Sequence, residues 1–155
     1  MQINVIGSGC RKRALVESIA EYSLKKLLPR TQNLEVTIQL VSNLYKKDNV
    51  EGDCLPLGED CSPPKEFYIR VDSKLPLKDM LSTVAHELVH VKQFAKGELY
   101  DSTVKDRTRW HGQWMKRTPD YWDLPWEIEA YGREVGLYTR WVRENGYQKY
   151  KRFRS

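Results

Sequence analysis

Between Pro76 and Lys96 the chain reads PLKDMLSTVAHELVHVKQFAK, with no glycine or proline after its first residue and Gly97 directly behind it. A glycine there is a common helix stop. At about 100° per residue, with His86 set at zero, Leu77, Leu81, Val84, Leu88, Val91 and Ala95 fall within an arc of about 140° to 220°. His86, His90, Gln93, Asp79 and Thr83 lie within about 60° of zero, on the other side. The pattern predicts a long helix with one buried apolar stripe and its chemistry on a separate face. Histidines serving only as core residues would sit inside the stripe.

Other elements follow from simpler patterns. QINVI reads as a short strand, and Cys10 to Leu28 as a helix stopped by Pro29. NLEVTIQLV alternates, with Leu34, Val36, Ile38 and Leu40 on one side, and EFYIRVD does the same with Phe67, Ile69 and Val71. Tyr45 to Lys65 is polar and rich in Gly, Pro and Asp, which predicts a long loop. Glu98 to Leu124 has no clear period but many aromatics. Pro125 to Glu144 predicts a last helix, closed by Asn145–Gly146. Strands followed by helices predict a small α+β fold with a short mixed sheet, one domain over residues 1–144.

The chain has 155 residues and a formal charge of +5. Lys149, Lys151, Arg152 and Arg154 place +4 of that charge in the tail 145–155, which holds no acid. A nucleic-acid-binding body should carry its charge in the fold; the tail permits such a partner without indicating one. No apolar run approaches bilayer length, so no membrane span is expected. The start MQINVIGSGCRKR lacks the apolar stretch of a signal peptide. Cys10, Cys54 and Cys61 are odd in number with no CxxC, as expected of reduced thiols in a cytoplasmic protein.

HELVH, His86 to His90, carries the most specific chemistry. Imidazoles at i and i+4 project from one helix face and can reach one metal ion. Glu87, at about 100°, lies beside that face. It is placed to miss ligation and still reach a water on the ion, as a general base must. A catalytic zinc takes three protein ligands and keeps one position open. The third can come from His111 in RWHGQWM or from an acid in LPWEIEAYGREVG. On the last helix, with Glu127 at zero, Ile128, Ala130, Tyr131, Val135, Leu137, Tyr138, Trp141 and Val142 span about 280° through 0° to 100°. Glu127 lies in the middle of this expected inward face. Glu129 is expected to face solvent with Arg133 as its i+4 partner. A carboxylate aimed into an apolar face must be paired or metal-bound, which makes Glu127 the preferred ligand. Glu134, two turns on, is expected to orient an Arg, Tyr or His.

TVAHELVHVKQ resembles the active-site helix of the zincin metallopeptidases. Metzincins place Gly three and His six residues after the second histidine; Gln93 and Lys96 stand there, which excludes that branch. In gluzincin-type proteins, including HtpX-like and ImmA/IrrE-type peptidases, the third ligand is a Glu of a later helix in an ExxA pattern, and EIEA matches with Glu127 first. Those families often follow with Asp or Asn, where this chain has Tyr131. The two blocks look most like small zincin-like proteins of bacteria and phages, over roughly Leu75 to Glu144. SprT-like proteases are the rival relative, because a later His followed by Gly is mimicked by His111–Gly112.

The resemblance implies a zinc-dependent peptidase acting on a peptide or protein substrate. It implies Zn2+ on His86, His90 and Glu127, with Glu87 as general base. Tyr131 and His111 are candidate donors to the oxyanion, His111 also the alternative ligand. By the same resemblance EFYIRVD is the edge strand that binds the substrate backbone. A SprT-like, nucleic-acid-associated protease and a non-catalytic zincin-fold binding protein are the competing functions. Most of Trp110, Trp114, Tyr121, Trp122 and Trp126 are expected to cover a small core, with an apolar pocket as the alternative.

Overall fold

A computed structural model describes residues 1–58, 63–102, 104–115 and 120–145. Cys61 and nearly all of the basic tail, residues 146–155, lie outside the described residues. The chain is mixed α+β. Strand β1 (Gln2–Ile6) leads through helix α1 (Cys10–Leu27) to β2 (Glu35–Val41). A short helix α2 (Leu44–Asp48) and strand β3 (Gly52–Leu57) precede β4 (Glu66–Asp72). Helix α3 spans Leu77–Ala95 and α4 spans Pro125–Glu144. Between them run β5 (Leu99–Ser102), β6 (Arg107–Trp110), β7 (Gln113–Trp114) and a 3-10 turn at Tyr121–Asp123. Among the described residues no helix is long and apolar enough to cross a membrane.

The four-stranded sheet has the order β1-β2-β4-β3. β1, β2 and β4 are parallel, and β3 returns antiparallel on the far side of β4. The alternation in the sequence becomes register: Val36 pairs with Phe67, Ile38 with Ile69 and Leu40 with Val71. All six are buried in a core shared with α1, α3 and α4. The opposite sheet face is polar. There Arg70 donates to Asp48 at 2.9 Å and pairs with Asp53.

Two expectations about strands are corrected. The segment expected to be a loop holds α2 and β3, and β3 rather than EFYIRVD is the sheet edge beside the site. Its composition, GDCLPL, hid it. Pro56 has no N–H to donate, so such a strand can sit only at an edge. The aperiodic stretch before α4 contains a second, three-stranded sheet, β5-β6-β7.

Candidate metal centre

From Thr83 to Phe94 every residue of α3 is buried, because a second layer lies over the face opposite the apolar stripe. That layer is β3 on one side and α4 on the other. β3 approaches closely: a Cβ added at Gly52 would stand 2.7 Å from Thr83 Cγ2 and 3.2 Å from Glu87 Oε1. Glycine is what lets the edge strand lie over the HELVH helix at that point.

His86 and His90 point into the gap with ring centroids 4.9 Å apart. Glu127, in the first turn of α4, reaches both. Its Oε2 is 3.0 Å from His86 Nε2 and its Oε1 is 3.3 Å from His90 Nε2. The outer nitrogens are also held. His86 Nδ1 lies 2.8 Å from Glu134 Oε2, and His90 Nδ1 lies 2.8 Å from Gln93 Oε1. The Gln93 amide is oriented by its other end, which donates at 2.9 Å to the Trp126 carbonyl and at 2.9 Å to Glu129. A carboxylate and an amide oxygen only accept, so both Nδ1 atoms carry hydrogen. Both Nε2 lone pairs of the neutral rings then face Glu127.

Neutral rings in that tautomer would set lone pairs against a buried carboxylate. The arrangement calls for positive charge between them. Burial disfavours a charged ring, yet Glu127 and Glu134 hold the His86 pKa up to about 9. Burial likewise opposes ionisation of Glu127, but His86 and His90 keep it well below the ordinary carboxylate range. A divalent cation satisfies all three groups at once. One ligand atom from each of His86, His90 and Glu127 fits within 4.8 Å of the others. The donor set and spacing therefore fit a metal ion.

Glu87 stands beside this group and is itself buried. Burial pushes its carboxyl up to about 7, with His90 and His86 acting in the opposite direction. It borders both halves of a cleft. The larger half, about 780 Å³, runs past Glu51, Asp79 and Glu134. The smaller, about 290 Å³, runs past Cys54, Phe94, Leu99 and Trp126. Gly52, His86, Glu87 and Tyr121 line both.

The remaining expected residues separate. His111 is not brought to the cluster. Its side chain is 58% exposed, with Nε2 3.9 Å from Glu98. It forms with Gly112 the two-residue turn between β6 and β7, and the φ values of +46° and +79° are those of a tight hairpin. The His–Gly pair is turn chemistry. Tyr131 packs its ring 4.5 Å from that of His86, but its hydroxyl meets Tyr121 at 3.3 Å. Tyr121, expected only as one of several aromatics, donates from its hydroxyl to Glu127 Oε2 at 3.0 Å. Glu134 orients a histidine, as its place on α4 predicted.

Glu129 is a correction. It keeps Arg133 at 3.1 Å but also takes Lys92 at 2.9 Å and Gln93 at 2.9 Å. Ile128 and Val135 are 58% and 65% exposed, so the inward arc of α4 is narrower than its apolar residues implied. The aromatics divide: Trp110 packs on the core, Trp126 packs on it and also lines the smaller half of the cleft, Tyr121 and Trp122 line the cleft, and Trp114 lies in neither, meeting Tyr100 at 6.2 Å. Cys10 and Cys54 are free thiols. No family model, curated protein or solved structure matches the chain significantly.

Proposed function

We propose that the chain is a zinc-dependent peptidase of zincin type that hydrolyses peptide bonds, with His86, His90 and Glu127 holding the ion. The observation that carries this reading is the pair of Nε2 atoms converging on Glu127, with both outer nitrogens held and Glu87 at the mouth of a cleft. A structural site would have no use for a buried free carboxylate facing open space. When bound, the ion supplies a Lewis acid that acidifies water and polarises a carbonyl.

The chain's own groups do the rest. Glu87 takes a proton from the attacking water and returns it to the nitrogen of the departing amine. Burial raises the proton affinity of Glu87, which favours it as the proton acceptor. Gln93 and Glu134 keep the imidazoles turned inward. Tyr121 gives its one hydroxyl proton to Glu127 Oε2 and so steadies that ligand, with the Tyr131 hydroxyl donating to Tyr121 behind it. β3 borders the cleft and offers an edge along which an extended peptide can lie.

The test is the zinc content of the purified protein beside Glu127→Ala, with folding followed by circular dichroism. One zinc per chain in the wild type and a clear loss in the folded variant is expected. Full zinc retention in that variant would remove Glu127 from the site. Glu87→Gln should keep zinc and lose peptide hydrolysis; unchanged hydrolysis would sink the mechanism.

A further inference from the structure

The two halves of the cleft differ in charge. The smaller half has acids at its rim, but they are engaged. Asp53 is paired with Arg70, and Asp101 accepts from the Thr108 hydroxyl at 2.7 Å. Its remaining lining includes Phe94, Leu99 and Trp126.

The larger half is lined by Glu51, Asp79 and Glu134 as well as Glu87, and by no Lys or Arg among the described residues. Glu134 is taken by His86. Glu51, just before β3, and Asp79, in the first turn of α3, are exposed and have no ion-pair partner among the described residues. Tyr45, Trp122 and Tyr131 stand in the same wall, with exposures of 54%, 66% and 37%. Unpaired carboxylates and open aromatic faces both attract a cation, and a cleft concentrates their field. A small inorganic ion would use only the carboxylates. A long cationic side chain uses both, with its stem on the rings and its head at the acids.

Resting on the reading of the site as one that takes a peptide, we infer that the larger half of the cleft selects a substrate with an arginine or lysine on that side of the cleaved bond, through Glu51, Asp79 and the aromatic wall. The smaller half, with its apolar floor, takes an uncharged residue. The specificity-determining groups are thus separate from the metal ligands and from Glu87.

The experiment uses the full zinc-loaded chain carrying Glu87→Gln, so that binding is read without turnover. The probes are decapeptides that differ only by arginine or its neutral isostere citrulline at one position, moved stepwise along the sequence. Calorimetry should give about tenfold tighter binding of arginine at one position or a neighbouring pair, falling as salt is raised. Adding Glu51→Gln and Asp79→Asn should remove the difference while zinc content stays the same. Glu51→Lys with Asp79→Lys should turn the preference toward peptides with glutamate at that position.

Equal binding of arginine and citrulline at every position overturns the inference, as does a preference that survives the double variant. The same peptides are then given to the wild type. Hydrolysis with no preference for arginine overturns the specificity and leaves the peptidase reading standing. Discrimination in binding with no hydrolysis at any position does the reverse.

Discussion

The two long sides of α3 are both buried, yet they are buried by different means. On one side Leu81, Val84, Leu88 and Val91 meet the sheet and α1 with no polar atom to satisfy. On the other, His86, Glu87, His90, Lys92 and Gln93 lie under β3, α4 and the segment leading into β5. What matters on the first side is volume. What matters on the second is that nearly every charge has a named partner: Lys92 reaches Glu98 at 2.7 Å and Glu129 at 2.9 Å, and Gln93 ties His90 to Glu129. A helix can therefore be almost wholly buried and still present chemistry, provided its polar side is covered by elements that bring opposite charge.

Substitutions that separate shape from charge test this contrast most directly. Leu88→Ala should lower stability by about 2–5 kcal/mol in urea denaturation, whereas Leu88→Met, which keeps the volume, should lose less than about 1.5 kcal/mol. Lys92→Met keeps the stem but leaves Glu98 and Glu129 facing one another, and should lose about 3 kcal/mol. If Lys92→Met is no worse than Leu88→Met, the polar side is held by packing after all and the contrast fails.

The next effect is confined to the polar side. Glu134→Ala removes the acceptor that turns His86 inward without touching a ligand atom. Zinc affinity, measured against a competing chelator, should fall about 10–100-fold. The unfolding midpoint with a chelator in excess should move far less than in Leu88→Ala. An unchanged affinity would show that packing against Tyr131 suffices to orient the His86 ring.

How much of this could be read beforehand differs between the same two sides. The apolar stripe was legible because a period of about 3.6 residues is imposed by one continuous neighbour. The grouping of His86, Glu87 and His90 was legible because helical spacing alone puts them on adjacent turns. Glu127 was legible from the face on which it falls, and Glu134 as an orienting group. The covering layer was not. β3 is disguised by Gly52 and Pro56, residues an edge strand can use and an interior strand cannot. The hairpin that uses His111 has strands too short to show alternation. Glu129 reads as solvent-facing on its own helix. It joins Lys92 in a partly buried pair only when α3 and α4 meet, and no local pattern encodes that meeting. Tyr121 sits on a 3-10 turn, where periodicity has nothing to say. Gln93 alone carried a signal left unused, because it stands on the chemical face one turn after His90.

The smallest effect lies away from the site, at the end of β4, where a buried carboxylate is held by backbone N–H groups. Asp72 is 4% exposed and accepts from the backbone N–H groups of Tyr45 at 3.0 Å and Lys74 at 2.8 Å. Burial acts to raise its pKa, but these and the neighbouring backbone N–H groups of Asn43 and Leu44 hold it below the ordinary value of 3.8. The folded state thus holds the Asp72 proton less tightly than the unfolded chain does. Its contribution is fully present above the unfolded value and is lost as pH falls through the folded one. Asp72→Asn should be less stable than the wild type by about 1–3 kcal/mol near neutral pH. The gap should close as the solution is acidified below about pH 4. Because Asp72 anchors α2 and not the metal centre, zinc affinity should be the same in both proteins. A gap that stays constant down to acid pH would mean that the asparagine loses shape complementarity and not charge, and that volume, as at Leu88, decides at this carboxylate too.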